Sequence, residues 1–241
     1  HQKVRRDRPR ASAAKRKTKK MLSIVTDKTI ALDALVKPDR TPFSAAPVLL
    51  PNPDDPDREV NRRTHWTATA SWLYMLRQEG EDRFGALPPA YLQKRPDLVA
   101  HGRRYPLQKM PPHLKAGRTI WHEADAVTAH DPKDASAVHI VASLCGLPRH
   151  RWVPTVERYI DDTLIVEGMI VDWAIHFLMG DDAQPTVGVH VHMLCSARRW
   201  RNDIRKGQRQ RTWLHTKGQN DRAEGAWLTA VGLQPSTFTL D

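Results

Sequence analysis

The predicted fold is decided by residues Val166–Arg198, VEGMIVDWAIHFLMGDDAQPTVGVHVHMLCSAR. Two apolar runs rich in β-branched residues, Gly168–Leu178 and Val187–Cys195, are typical of strands in a buried sheet. Between them, Gly180–Thr186 contains glycine, two aspartates and proline, which favour a turn over a strand. The segment therefore predicts two neighbouring strands joined by a loop.

Three histidines in these strands are predicted to share one face of the sheet. Residues two apart in a strand project to the same side, so His190 and His192 lie together, about 6.6 Å apart along the chain at ~3.3 Å per residue. His176 reaches the same place from the partner strand. Three imidazoles on a buried face are costly without a partner, and neutral imidazole is a common metal ligand. The pattern indicates a divalent metal site, although a single histidine in a strand is more often a hydrogen-bonded core or surface residue.

The remaining elements predict an α+β fold. Helices are predicted from apolar residues at helical spacing and from their caps, at Thr64–Glu79, Trp121–Ala129, Pro154–Glu167 and Asn220–Leu233. Further strands are predicted at Met21–Ile30 and Ala137–Leu144. The latter half of the chain runs strand, helix, strand, strand, which favours an antiparallel β-sheet with flanking helices.

The distribution of proline and charge predicts three regions. Residues 1–22 are strongly basic and are expected to form a flexible arm. Residues 23–63 combine the first predicted strand with a proline-rich stretch, Lys37–Arg63, which we interpret as an extended connector. Residues 64–241 form the main domain, with a second proline-rich, loop-like stretch at 81–117.

The basic arm carries most of the net charge. The first twenty residues contain ten Lys or Arg against Asp7, which gives +9 of the formal +11. Such a block repels itself and is typical of arms that lie along nucleic acid. A solubilising leader or a targeting peptide is the alternative. No run of eighteen apolar residues is present, so no membrane insertion is expected. Two cysteines do not form a disulfide framework, and a cytoplasmic location is expected.

A second basic cluster follows the histidine strand directly. It comprises Arg198, Arg199, Arg201, Arg205 and Lys206. A solvated loop and a DNA-contacting loop explain the cluster equally well when it is taken alone. Its position next to the candidate metal site favours DNA contact.

Four segments of the chain resemble, in order, the motifs of the MobA/MobL (MobQ-type) mobilisation relaxases of plasmids, within the HUH endonuclease superfamily. These segments are Tyr74–Gly80 (YMLRQEG), Arg118–Asp125 leading to Ser143-Leu144 and Leu147-Pro148, Asp172–His176 (DWAIH), and His190–Leu194 (HVHML) followed by Arg198. The resemblance covers residues 64–215. It implies a relaxase-like catalytic domain that nicks and rejoins single-stranded DNA at an origin of transfer in a bacterial cytoplasm.

The resemblance also implies roles for individual residues. Tyr74 is expected to attack the scissile phosphate and to form a 5′-phosphotyrosine intermediate, with Glu79 as base or as an outer support of the metal site. Arg77 follows Tyr74 by three residues, on the same helix face, where it is expected to bind a phosphate or lower the pKa of the phenol. Tyr91 and Tyr105 are the alternative nucleophiles, whereas Tyr159 is expected to be structural.

The metal and the partners follow from the same comparison. Imidazole ligands favour Mn²⁺ or Zn²⁺, whereas the family implies Mg²⁺ or Mn²⁺, so Mn²⁺ is the metal that satisfies both. Expected partners are single-stranded DNA, relaxosome proteins and a type IV secretion coupling protein. The alternatives are a non-catalytic DNA-binding accessory protein of the same fold and an HUH replication initiator or transposase.

Overall fold

A five-stranded antiparallel sheet lies at the centre of the protein. Its strands are β1 (Phe43–Leu49), β2 (Leu98–Arg104), β3 (Ala135–Ser143), β4 (Val171–Met179) and β5 (Pro185–Ser196). They lie side by side in the order β1-β3-β5-β4-β2, and every neighbouring pair is antiparallel. The structure is a computed structural model that describes residues 43–49, 67–82, 85–86, 90–106, 111–129, 134–199, 208–210, 213–214 and 216–233.

Helices flank the sheet. They are α1 (Ala68–Met75), α2 (Ala90–Gln93), α3 (Thr119–Thr128), α4 (Trp152–Tyr159) and α5 (Lys217–Ala230). A π-helical turn (Ile160–Leu164) and a 3-10 turn (Ile165–Glu167) extend α4, and further 3-10 turns lie at Arg95–Asp97, Pro112–Leu114 and Arg149–Arg151. Two-residue ladders pair Glu81–Asp82 with Gly85–Ala86 and Arg198–Arg199 with Gln208–Arg209. The predicted α+β class is confirmed.

The two faces of the sheet are covered by different helices. On one face, Trp121 of α3 belongs to the same apolar cluster as Ala174 and Leu194. On the other face, Trp227 of α5 belongs to a larger cluster with Val191. Because side chains alternate between faces along a strand, β5 sends its histidines towards α1 and α3 and its valines towards α4 and α5.

The strand β1 corrects one prediction. Residues Phe43–Leu49 lie within the stretch interpreted as a connector, yet they pair with β3 along their whole length. Pro47 is tolerated because β1 is an edge strand, where a missing backbone N–H on the outer side breaks no ladder. The sheet therefore begins before residue 64. The predicted arm at 1–22 and the predicted strand Met21–Ile30 lie outside the described residues.

The strand β2 corrects a second prediction, because residues 81–117 were expected to be loop-like. Leu98–Arg104 pairs with β4 at the opposite edge of the sheet. Its sequence, LVAHGRR, lacks clean alternation and contains Gly102. A Cβ on Gly102 would come within 3.0 Å of the ring of Trp173. The glycine is thus explained by the close approach of a tryptophan from the neighbouring strand.

The helix α1 is shorter than predicted. It begins after Thr67, whose side chain accepts a hydrogen bond from the backbone N–H of Ala70 at 2.9 Å, and it ends at Met75. Arg77 adopts a left-handed backbone conformation with φ +52°, which ends the helix before Gly80. The other helices and strands predicted within the described residues are present with boundaries shifted by a few residues. Across the described part of the chain, no helix has the length and apolar character needed to cross a bilayer.

Candidate metal centre and tyrosine site

The pairing of β4 with β5 brings the three predicted histidines together. His176 lies opposite His190 in the ladder, and His192 lies opposite Ala174, one step further along the same face. All three side chains are buried, and one ring nitrogen of each lies within 4.8 Å of one ring nitrogen of the others. Nε2 of His190 is 3.1 Å from Nε2 of His192. The predicted cluster of His176, His190 and His192 is therefore present.

The geometry of His190 and His192 fits a metal ion. Nδ1 of His190 donates to the carbonyl oxygen of Gly188 at 2.7 Å, which leaves its Nε2 lone pair directed at His192. Nδ1 of His192 is 3.0 Å from Nε2 of a fourth histidine, His139. Two imidazoles on a tetrahedral Zn²⁺ place their nitrogens about 3.3 Å apart, close to the observed spacing. The two nitrogens share a hydrogen bond when one of them carries a proton, and a cation between them would take the place of that proton.

His176 is held differently. Its Nε2 is 2.8 Å from the carbonyl oxygen of Met75, to which it donates, and its Nδ1 accepts from Nη2 of Arg77 at 3.1 Å. Both ring nitrogens are thus engaged. Ligation by His176 through Nδ1 requires Arg77 to give up this contact.

Burial keeps the histidines neutral. Desolvation lowers the pKa of both His176 and His192 well below the ordinary value, and the nearby charge of Arg77 lowers the pKa of His176 further. Burial likewise lowers the pKa of His139 to about 4. Because metals bind the neutral imidazole, these shifts favour ligation at neutral pH.

Tyr74 lies directly beside the histidine cluster. Helix α1 places its ring centroid 5.7 Å from that of His192 and 6.5 Å from that of His176, both in edge-to-face contacts. The side chain is fully buried, because Tyr91 of α2 covers it with a ring centroid distance of 5.2 Å. The structure therefore brings the predicted nucleophile and the predicted ligands into one site.

Sequence comparison decides the family. The sequence model of the MobA/MobL family matches residues 68–232, more than half of the chain. The chain belongs to the MobA/MobL family. A solved structure described as "Molecular Basis of Vancomycin Resistance Transfer in Staphylococcus aureus" has a TM-score of 0.57 and 17% identity over 79% of this chain and 90% of that chain. At this identity the likeness shows the fold alone. A comparison with curated proteins finds no match.

Membership in the MobA/MobL family supports a relaxase role in plasmid transfer. Asp125 ends one of the segments that resemble the family motifs, Arg118–Asp125. The carboxylate of Asp125 in α3 accepts from the backbone N–H of Ala68 at 2.8 Å and of Thr69 at 3.0 Å, and from the hydroxyl of Thr69 at 2.8 Å. Asp125 therefore fixes the N-terminus of the helix that carries Tyr74.

This cap gives the first testable expectation. We expect Asp125→Ala to lower the free energy of unfolding by about 1–3 kcal/mol, because buried backbone N–H groups lose their acceptor. Urea denaturation measures the change. Asp162→Ala is the control, since Asp162 is exposed on the extension of α4, and its effect should stay within about 0.5 kcal/mol. Equal stability of the two variants would contradict the assigned role of Asp125.

Arg77 is buried in this MobA/MobL protein, and only 1% of the residue is exposed. Its Nε and Nη2 donate to the two carboxylate oxygens of Asp97 at 2.9 and 2.7 Å, and its guanidinium carbon lies 4.3 Å from the ring centroid of Tyr74. Burial alone would lower the pKa of Arg77, but hydrogen bonds with Asp97 and Tyr74 outweigh it, so the pKa is raised. Arg77 is near Tyr74 as expected, but Asp97 holds its guanidinium, and contact with DNA stays a prediction.

The other residues predicted for the MobA/MobL site are Glu79 and the basic cluster that begins at Arg198. Glu79 is exposed and follows the end of α1. Arg198 is partly buried in the two-residue ladder that follows β5. The side chain of Arg199 and the residues Arg201, Arg205 and Lys206 lie outside the described part. The roles of all these residues stay predictions.

The rival tyrosines are separated by the structure. Tyr159 donates to the carbonyl oxygen of Ala223 at 3.2 Å in the core on the opposite face of the sheet. Tyr105 packs at the edge of the α1 and α3 core. Tyr91 contacts Tyr74 directly, and its burial raises the pKa of its phenol.

Sequence reasoning missed two members of the site, His139 and Asp97. His139 stands within a run, Ala-Val-His-Ile-Val, that reads only as a core strand. The available signal was the alternation of that strand, which places His139 on the same face as the residues paired with His190 and His192. Asp97 lies in a segment predicted to be a loop, and nothing in its neighbourhood marks it.

Proposed function

We propose that the protein is a metal-dependent relaxase that nicks and rejoins single-stranded DNA at an origin of transfer. The observation that carries the proposal is the contact of the Tyr74 ring with His176 and His192 in one buried site. The family model supports the relaxase role. A nucleophilic phenol beside a set of neutral imidazoles has the parts that a phosphodiester transesterification needs.

The proposed reaction exchanges one phosphodiester for another. The phenolate oxygen of Tyr74 attacks phosphorus in line, a bond forms between that oxygen and phosphorus, and the bond from phosphorus to the 3′ oxygen breaks. The products are a 5′-phosphotyrosine and a DNA strand that ends in a 3′-hydroxyl, which takes up a proton. Because the bond lost and the bond formed are of the same kind, the step is nearly balanced and reverses during rejoining.

The residues around Tyr74 have distinct tasks in this proposal. His176, His190 and His192 would hold a divalent ion, with Mn²⁺ the preferred candidate and Mg²⁺ or Zn²⁺ the alternatives. When bound, such an ion neutralises the charge that develops on the phosphate oxygens. Glu79 is the proposed acceptor of the phenol proton. Arg77, fixed by Asp97, provides a positive charge next to Tyr74 that favours the phenolate.

Binding of the substrate requires a local opening. Tyr74 is covered by Tyr91, and Arg77 occupies Nδ1 of His176. We therefore propose that DNA reaches the phenol only after Tyr91 is displaced. The metal would replace Arg77 as the partner of Nδ1 of His176. The basic cluster at Arg198, Arg199, Arg201, Arg205 and Lys206 would bind the phosphates of the strand next to the scissile bond.

A non-catalytic DNA-binding accessory role is the second candidate. The full burial of Tyr74 and the pairing of Arg77 with His176 favour it, because the site is closed by the internal contacts of the protein. An accessory protein would bind DNA without forming a covalent bond. A replication initiator or transposase would share the chemistry of a relaxase and would differ in the sequence recognised.

One experiment separates the relaxase from the accessory protein. Labelled single-stranded oligonucleotides that span plasmid transfer origins are incubated with the protein and Mn²⁺, and the products are run on a denaturing gel. A relaxase yields a labelled band at the mass of protein plus DNA, and EDTA prevents it. DNA binding without an adduct on any oligonucleotide would favour the accessory role.

We further propose relaxosome and secretion coupling proteins as partners in the bacterial cytoplasm.

The basic arm gives a separate prediction. Deleting residues 2–20 should weaken DNA binding with little regard to sequence, because nine net charges no longer release counterions from phosphates. The slope of log affinity against log salt should flatten, by about 0.7 for each lost phosphate contact on a single strand. Fluorescence anisotropy over a salt series measures the slope.

A full-length variant with the ten arm lysines and arginines changed to glutamine serves as the control for the deletion. This variant keeps the length of the arm and removes its positive charge. Its DNA affinity and its salt slope should therefore match those of the deletion variant. An unchanged slope in both proteins would show that the arm does not contact DNA. In that case we expect the basic arm to bind a partner protein instead of DNA.

A further inference from the structure

A fourth buried histidine touches the metal site. His139 lies on β3, which pairs with β5, and its side chain is 2% exposed. Its Nε2 is 3.0 Å from Nδ1 of His192, and the two ring centroids are 5.1 Å apart. His139 is not one of the three histidines of the candidate metal cluster, and it contacts that cluster at His192.

The other nitrogen of His139 is unusual. Nδ1 is buried and has no hydrogen-bond partner among the residues that the structure describes. Buried polar groups in native proteins are nearly always hydrogen-bonded, so such a group calls for an explanation. A histidine used only to fill space would be replaceable by an apolar residue without this cost.

A bound metal would fix the positions of the protons on these rings. For Nε2 of both His190 and His192 to present lone pairs to a cation, each ring must carry its proton on Nδ1. Gly188 accepts that proton from His190. His139 is the acceptor for His192 only if its own proton is on Nδ1, which is the atom without a partner. With a metal on His192, His139 therefore accepts from His192 and carries its own proton on the unpartnered Nδ1. Without a metal, the reverse arrangement, in which His139 donates to His192 and His192 donates to His190, satisfies the same contacts.

We propose that His139 is a positioning residue that holds His192 with its proton on Nδ1 and its Nε2 lone pair towards the metal. This inference rests on the metal site of the proposed function. Histidine ligands commonly donate their second N–H to an outer acceptor that fixes the ring and its tautomer, and loss of that acceptor typically weakens metal affinity 10–100-fold. In this chain a carbonyl performs that task for His190, and a second imidazole performs it for His192.

Two variants of His139 test the role. His139→Leu replaces the imidazole with an apolar side chain of similar size and so removes the acceptor. His139→Gln keeps an acceptor, because its side-chain oxygen extends about as far from the backbone as Nε2 of histidine. Calorimetric titration with Mn²⁺ should show affinity lowered about 10–100-fold in the Leu variant and largely retained in the Gln variant. His122→Leu is the control, because His122 is exposed on α3 and should bind as the wild type does.

A second measurement needs no variant that alters the core. In wild-type protein labelled with nitrogen-15 at histidine and loaded with Zn²⁺, two-bond correlation spectra report which ring nitrogen carries the proton. We expect His192 and His139 both to be protonated at Nδ1. A proton on Nε2 of His192 in the loaded protein would overturn the proposal, even if the Leu variant does not fold.

The failures of the two proposals are distinguishable. Wild-type protein that binds neither Mn²⁺ nor Zn²⁺ overturns the metal site, and the role of His139 with it. Metal binding by the wild type with equal affinities in the Leu and Gln variants overturns the role of His139 alone. Loss of affinity in the Leu variant with rescue by Gln supports both.

Discussion

We expect the replacement of Tyr74 with phenylalanine to abolish the proposed covalent adduct with single-stranded DNA and to leave the protein folded. The substitution removes one oxygen, which is the atom that attacks phosphorus in the proposed reaction, and nearly all of the buried ring volume stays. The edge-to-face contacts with His192 and Tyr91 involve the ring and persist. We expect a stability change of about 0.5–1.5 kcal/mol, because the buried hydroxyl and its polar interaction with Arg77 are lost.

The measurement is a denaturing gel with labelled DNA and Mn²⁺, and the matched control is Tyr91→Phe. Tyr91 is the same residue type, is also buried, and lies 5.2 Å from Tyr74 between ring centroids. We expect the adduct band to fall below detection in Tyr74→Phe and to persist in Tyr91→Phe. Metal binding and non-covalent DNA binding should be unchanged in both. An adduct that survives in Tyr74→Phe and disappears in Tyr91→Phe would transfer the nucleophile to Tyr91.

We expect the replacement of both His190 and His192 with alanine to eliminate binding of the divalent ion and DNA cleavage together. Their Nε2 atoms are 3.1 Å apart and face each other, so a metal in this position loses two ligands at once. Removal of an outer support alone typically weakens affinity 10–100-fold, so we expect each single alanine variant, and His176→Ala, to lose at least about 100-fold. Calorimetric titration with Mn²⁺ measures the affinity.

The controls for this second prediction are two exposed histidines, His101 on β2 and His122 on α3. Their alanine variants should bind metal and cleave DNA as the wild type does. Urea denaturation of every variant separates loss of ligands from loss of fold, because a buried histidine exchanged for alanine also leaves a cavity. Undiminished binding in the double variant His190→Ala with His192→Ala would refute the site.

The pH dependence of metal binding provides a further signature of the same site. The pKa of His176 and of His192 is lowered in the folded protein, chiefly by burial. Protons therefore compete with the metal only when the pH falls well below the ordinary histidine value of about 6.5. Over the same range the unfolded chain takes up protons that the folded chain refuses, so the protein without metal loses stability as the pH falls.

Much of the site was determined by the sequence itself. The two-residue period of a strand fixes His190 and His192 on one face, because successive side chains alternate between faces. The short loop after β4 makes β5 its antiparallel neighbour, and the observed register then places His176 opposite His190. The helix with Tyr74 and the helix after Arg118 follow from the spacing of their apolar residues. These features are local, so a window of a few residues contains all the information needed.

The tertiary structure decided the remainder. The edge strands β1 and β2 contain Pro47 and Gly102 and lack a clear period, so their strand character comes from pairing with β3 and β4. The contacts of His139 with His192, and of Arg77 with Asp97, join residues far apart in the chain. No local pattern encodes such contacts, because each residue alone is compatible with a core or a loop. Burial then sets the chemistry, since desolvation of the sheet face keeps the imidazoles neutral and able to bind a metal.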